Sequence, residues 1–256
     1  MRKISILTIV ALFAFASAAQ AQSSDKPKNE IEVHGTFSIP SGEANYSGTG
    51  ASGSTIDFGR DFDFKNEFGW RARYTYRSSN GKHKFMVDYD ATNWERNTIL
   101  SRSFTFRGET YVANATIDGE LKLQTFRAMY AYRWGNEKVR FGPMVDAGFV
   151  RTSLDLTGST NNGIRTTEAS VTKLAATIGY DLDIDPTSQV NVFHNLGWIV
   201  FQSDHLFHTE GGVKVYFTKS LGAVGGYRAQ RYKFEDGSNF LTVRENGPFF
   251  GGVFRF

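Results

Sequence analysis

The chain has 256 residues, no cysteine, 29 Lys and Arg against 26 Asp and Glu, and a formal net charge of +3. Without a thiol there is no disulfide framework, no thiolate metal site and no cysteine for a lipid anchor, and the near balance of charge leaves no footprint for nucleic acid. Aromatic residues at 15% and 26 glycines are high, yet a mean hydropathy of -0.35 is too polar for a chain that is apolar on every side, so alternation is the pattern to look for.

The first 22 residues, MRKISILTIVALFAFASAAQAQ, carry a basic start at Arg2 and Lys3, an apolar run from Ile4 to Ala19, and small residues at Ala19 and Ala21. This is the layout of a secretory signal peptide cut after Ala21, so the expected organisation is a signal peptide over 1–21 and one domain over 22–256. No later segment approaches the roughly 18 consecutive apolar residues of a membrane helix.

Period two then dominates. Ile31, Val33, Phe37 and Ile39 suggest a first strand. From Glu67 to Arg77, Phe68, Trp70, Ala72, Tyr74 and Tyr76 alternate with Gly69, Arg71, Arg73, Thr75 and Arg77. Phe85, Val87, Tyr89 and Ala91 alternate with Lys84, Met86, Asp88 and Asp90 in the next. The pattern recurs in 126–134, 139–149, 174–184, 190–198, 213–217, 221–229 and the C-terminal segment, which makes ten strands. Short connections at Asn80-Gly81, Asn136-Glu137, Pro186–Ser188 and Lys219-Ser220 alternate with polar, Gly-rich ones at about 41–66, 93–119, 157–170, 202–206 and 235–239. Short turns at one end and long loops at the other are the plan of a transmembrane β-barrel.

Turn chemistry sets the register. A two-residue type I′ turn at Asn80-Gly81 places Arg73 opposite Asp88 and Arg71 opposite Asp90. A turn at Asn136-Glu137 puts Tyr132 beside Phe141, Arg127 opposite Asp146 and Arg133 opposite Arg140. Pairing Phe217 with Leu221 sets Glu210 opposite Arg228. Cross-strand ion pairs matter most where water is scarce, which favours a polar inward face and an apolar outward one. Tyr76, Phe85, Tyr132, Trp134, Phe141 and Phe217 cluster near the short turns, where an aromatic girdle would meet the membrane interface.

At the C-terminus, Gly251, Phe254 and Phe256 fit the spacing Gly-x-x-aromatic-x-Phe. This resembles the terminal strand signal of bacterial outer-membrane β-barrel proteins, which the barrel-assembly machinery is understood to read. With the signal peptide, the chain resembles the small outer-membrane barrels of the OmpA-like and OmpX-like kind, although ten strands exceed their usual eight. The resemblance implies an all-β, closed antiparallel transmembrane barrel in the outer membrane, with outer-membrane lipid and the assembly machinery as partners. Phe250, Phe254 and Phe256 would face lipid, and Phe249 and Arg255 the lumen.

Ten strands is also the size of the omptin proteases, which use an Asp-x-Asp pair and an Asp-x-His pair at the extracellular rim. Asp88-Tyr89-Asp90 matches the first spacing, but Asp204-His205 is adjacent rather than spaced, and His208-Thr209-Glu210 has the wrong order. Asp88 would also lie about 14 Å above its turn, near mid-membrane rather than at the rim. Asp88, Asp90 and His208 are therefore the weaker, catalytic alternative to ion-paired lumen residues. His205 and His208 with Asp204 and Glu210 are the other cluster to test. The resulting expectation is a non-enzymatic barrel without cofactor or metal, its lumen filled by ion pairs and its long loops free to bind a surface ligand. Phe104, Phe106 and Tyr111 would extend the second loop above the membrane. A narrow pore and an omptin-like or lipid-modifying enzyme are the alternatives.

Overall fold

The computed structural model describes residues 28–48, 52–201 and 204–256. The segment read as a signal peptide lies outside the described residues. Ten long strands follow one another: β1 (Asn29–Asn45), β2 (Glu67–Arg77), β3 (His83–Ile99), β4 (Thr116–Tyr132), β5 (Val139–Thr160), β6 (Gly163–Thr187), β7 (Val190–Phe201), β8 (Asp204–Tyr216), β9 (Leu221–Asp236) and β10 (Asn239–Arg255). Each pairs antiparallel with the next, and β10 pairs with β1 from Glu30–Arg255 to Asn45–Phe240, closing the barrel. Closure leaves no open strand edge, as spanning a bilayer requires.

The strands are much longer than a membrane needs. β5 has 22 residues and β6 has 25, whereas about 9–11 tilted residues cross a bilayer. The segment 157–170, expected as a loop, is instead a continuous ladder from Gly163–Thr160 downward, turning at Asn161-Asn162. The same correction applies to 93–119, where β3 and β4 pair as far as Ile99–Thr116, and to 235–239, where Asp236 faces Asn239. Polar outward residues had disguised these stretches as loops.

Two turns differ from expectation in detail. At Asn80-Gly81 only Gly81 has positive φ, at 68°, and its N–H bonds to the Ser78 carbonyl, so this is not a type I′ turn. The Ser78 N–H reaches the His83 carbonyl, and the register nevertheless places Arg73 opposite Asp88 and Arg71 opposite Asp90. The Asn136 turn is shifted. The Asn136 side chain accepts from the N–H groups of Lys138 and Val139, so Glu137 and Lys138 form the tip. Trp134, not Tyr132, therefore faces Phe141, Gly135 rather than Arg133 faces Arg140, and Arg127 faces Gly148 rather than Asp146.

Outward residues form an apolar belt on the half of the barrel with short turns. On β5 it runs from Val139 through Phe141, Val145 and Phe149, and Arg151 follows; at about 3.3 Å per residue and 45° tilt this spans about 23 Å. That matches a hydrocarbon band of about 25 Å. Tyr76, Phe85, Trp134, Phe141 and Phe217 are exposed on this outer surface near the short turns, and Tyr132 is half-buried beside them.

Candidate functional site

The lumen is the place where unusual chemistry gathers, because inward positions in the belt region are charged. Arg71 donates to Asp90 at 2.9 Å and to Glu210; Arg73 donates to Asp88 at 3.2 Å and to Glu210 at 2.8 Å. Glu210 stands on β8, across the lumen from β2, so these bonds cross the barrel. Arg127 reaches Asp88 from the other side at 3.4 Å. Arg228 donates to Asp90 and, at 2.9 Å, to Glu245, which also accepts from Ser38, Thr92 and Gln230. All these charged groups are buried.

Nearer the short turns a second set forms. Lys84 donates to Asp181 at 2.8 Å and to Asp183, and Arg133 joins the same two carboxylates. Lys214 donates to Glu30 and Glu32, and Arg77 links Glu30 to the Asp183 side. The like-charged cross-strand neighbours Arg77 and Lys84 are thus each matched to acids on other strands.

Two pairings expected from register are not formed in the lumen. Glu210 and Arg228 are direct cross-strand neighbours, but Glu210 is taken by Arg71 and Arg73, and Arg228 by Asp90 and Glu245. Long side chains reach across the lumen, which a two-strand register cannot show. Asp146 does not pair with Arg127; it accepts from the Thr177 hydroxyl and lies 2.6 Å from His208 Nε2.

The catalytic alternative loses its geometry. Asp88 and Asp90 are buried under four arginines and His208 is buried against Asp146, so none of the three reaches the extracellular surface. His205 and His208 do not cluster, because odd positions of β8 face outward and even ones inward. Among the described residues no group of three or more acidic, His or Cys side chains is placed to hold a metal ion.

Above the belt the inward face turns apolar. Trp94 on β3, Leu121 and Leu123 on β4, Leu154 and Leu156 on β5, Phe234 on β9 and Leu241 and Val243 on β10 form one buried cluster. It is completed from between the strands. After β1, Ile56-Asp57 and a π-helical turn at Phe58–Phe62 dip inward, burying Ile56, Phe58, Phe62 and Phe64. The small hairpin of Phe104–Phe106 and Glu109–Tyr111 does the same with Phe104, Phe106 and Tyr111. These aromatics extend the second hairpin above the belt as expected, but they fold inward and cap the lumen. Gly119 is required beneath the cap, since a Cβ there would lie 2.6 Å from the Phe62 ring.

Asp61 secures the π-helical turn. It accepts from Arg102 at 2.7 and 3.0 Å, from Arg60 at 3.0 Å and from the Asp57 N–H at 2.9 Å. Burial alone would raise its carboxyl, but the Arg102 and Arg60 hydrogen bonds outweigh that and hold it below the ordinary aspartate value. A depressed folded pKa contributes stability that is present above the unfolded value near 3.9 and lost as pH falls through the folded one. Acid below about pH 4 is therefore expected to lower hydrogen-exchange protection across 56–66, taken relative to the intrinsic exchange rate at each pH. Asp61→Asn should exchange faster at neutral pH and lose most of that dependence; an unchanged profile would refute the assignment.

At the barrel's other end, Gly251 packs against β1 so closely that a Cβ would lie 1.9 Å from the Val33 carbonyl. Phe254 stacks on Phe256 at 5.6 Å, and Phe256 exchanges backbone hydrogen bonds with Asn29. Phe250 faces outward and Phe249 faces the lumen. Arg255 lies on the inward side at the short-turn mouth of the lumen, where it stacks over inward-facing Tyr216 and donates to the carbonyls of Lys219 and Ser188, tying two turns together.

No protein-family model matches this chain, and no curated protein matches it. Among solved structures it is similar to the outer membrane protease OmpT from Escherichia coli, with a TM-score of 0.57 and 9% identity over 93% of this chain and 99% of that one. It is also similar to the attachment invasion locus protein Ail of Yersinia pestis in complex with sucrose octasulfate, with a TM-score of 0.38 and 14% identity over 90% and 99% of the two chains. Neisserial surface protein A gives a TM-score of 0.36 and 13% identity over 89% and 97%. Only the first likeness is close enough to compare folds, and at that identity it concerns the fold alone. Closed by ten antiparallel strands, apolar outside and charged within, the chain has the fold of an outer-membrane β-barrel.

Proposed function

We propose that the protein is a non-enzymatic, non-conducting barrel of a bacterial outer membrane, exported by its signal peptide, whose tall extracellular hairpins form its working surface. The observation that carries this reading is a double seal. Ion pairs cross the lumen within the belt, and a separate apolar cap fills it above. Either layer excludes hydrated ions. An enzyme reading is disfavoured by the burial of Asp88, Asp90 and His208. Outer-membrane lipid would contact the belt and the aromatic girdle, and the assembly machinery would read Gly251, Phe254 and Phe256.

Planar-bilayer recording tests the seal. No conductance steps are expected from the wild type, nor from Arg73→Ala combined with Asp88→Ala, because the cap remains. Stepwise conductance of the wild type would replace this reading with a narrow pore. Peptide or lipid hydrolysis in micelles that disappears with Asp90→Ala or His208→Ala would replace it with an enzyme.

A further inference from the structure

The outer face of β9 and β10 holds a charge arrangement that the barrel itself does not resolve. Arg231 and Arg244 are direct cross-strand partners, and both point outward and are exposed. Like charges so placed repel. Neither arginine makes a hydrogen bond or ion pair among the described residues. The acids on the nearby outer face leave them unmatched: Glu235 is taken by Lys233, and Glu43 on β1 makes no ion pair with Arg244. On the inner face, by contrast, Gln230, Tyr232 and Glu245 are hydrogen-bonded together, which holds the backbone carrying the two arginines.

Their height is specific. The apolar belt ends at Tyr227 and Pro248, which face each other; Ala229 and Asn246 follow, and the next outward pair is Arg231 and Arg244. This is the level of lipid phosphates in the leaflet on the long-hairpin side. Arg231 and Arg244 themselves line a groove of about 480 Å³ on the outer wall, together with Trp198, Phe207 and Asn246, with His205 beside it. It offers apolar walls toward the membrane core and cations toward the headgroup.

We propose that Arg231 and Arg244 bind the phosphate of an outer-leaflet phosphoglycolipid whose acyl chain lies along the Trp198 and Phe207 groove. The anion removes the repulsion between the two guanidiniums, and each guanidinium can offer a phosphate two parallel N–H donors. The proposal rests on the outer-membrane reading above. Arg151 is the built-in contrast: it stands at the same edge of the belt on β5, also without an acidic partner among the described residues, but alone between Gln124 and Thr172.

Native mass spectrometry of the full chain, folded in detergent and supplied with bis-phosphorylated lipid A or its dephosphorylated form, tests this. Heat-modifiable gel migration first establishes that the barrel has formed; failure there would count against the outer-membrane reading itself. In the folded protein the phosphorylated lipid is expected to be retained at least tenfold more tightly than the dephosphorylated one. Arg231→Gln with Arg244→Gln should abolish that preference, and Arg151→Gln should keep it. Equal retention of the two lipids by the wild type, or an undiminished preference in the double variant, would overturn the proposal. So would inorganic phosphate displacing the lipid at equal concentration, because the site would then be one for a free anion. The wild-type comparison needs no variant to fold.

Discussion

Glu210→Ala is expected to destabilise the barrel by about 3–5 kcal/mol, the range for breaking a buried ion pair by removing one partner. The mechanism is the charge left behind. Arg71 and Arg73 stand two residues apart on β2, both point inward, and both donate to Glu210 from across the lumen. Without it, Arg71 keeps Asp90 and Arg73 keeps Asp88, but Asp90 is shared with Arg228 and Asp88 with Arg127. Four guanidiniums would then share three carboxylates, Asp88, Asp90 and Glu245, in a space closed to bulk water. Guanidinium unfolding in lipid vesicles would show the loss as a lower midpoint, and Glu210→Gln should recover little of it because a neutral amide supplies no countercharge. The half-exposed outer pair Lys233 and Glu235 is the comparison: removing Lys233 should cost under about 1 kcal/mol. A Glu210→Ala loss no larger than that would mean that water reaches the lumen freely, and the seal argued above would fail with it.

The lower half of the barrel was legible in the sequence because one rule governs it: apolar out, charged in. Phe85, Val87 and Tyr89 against Lys84, Asp88 and Asp90 announce the strand, and turn chemistry then brings Arg71 and Arg73 into register with the right acids. Register stops short of side chains that span the lumen, so Arg228 to Asp90 and Arg71 to Glu210 could not be read from adjacent strands.

The upper half was missed for a different reason, namely that the rule inverts there. On β4, Phe126 and Tyr130 are even-numbered and face out, whereas Leu121 and Leu123 are odd-numbered and face in. On β5 outward Phe149 gives way to inward Leu154 and Leu156, on β9 outward Tyr227 to inward Tyr232 and Phe234, and on β10 outward Phe250 to inward Leu241 and Val243. Each strand keeps its pleat while its apolar residues change parity. The surroundings change from hydrocarbon to water along one strand, and the apolar side chains move from outer face to inner face. A search for one continuous phase discards the upper segments as polar loops. A search for a one-residue phase slip would have found both the top of the membrane and the cap.

Trp94 gives the cap its own measurable signature. It is fully buried on the inner face of β3, and its indole N–H donates to the Ser38 carbonyl of β1 at 2.9 Å, across intervening β2. β2 is the shortest strand at this side, beginning only at Glu67, so above it β1 and β3 have no ladder between them. The indole and the π-helical turn fill that gap. Trp94→Ala should therefore cost about 3–5 kcal/mol, the usual range for emptying a large aromatic site, and should also strand the Ser38 carbonyl. Trp94→Phe should recover most of the packing but not the hydrogen bond, leaving a loss of about 1–3 kcal/mol. The two layers predict where the damage stops. Hydrogen exchange should rise in 56–66 and 100–112, while Arg71, Arg73 and Glu210 remain locked below and conductance remains absent. If Trp94→Ala alone opened a conducting path, the ion-paired layer would not be a seal, and the cap would be the barrel's only gate.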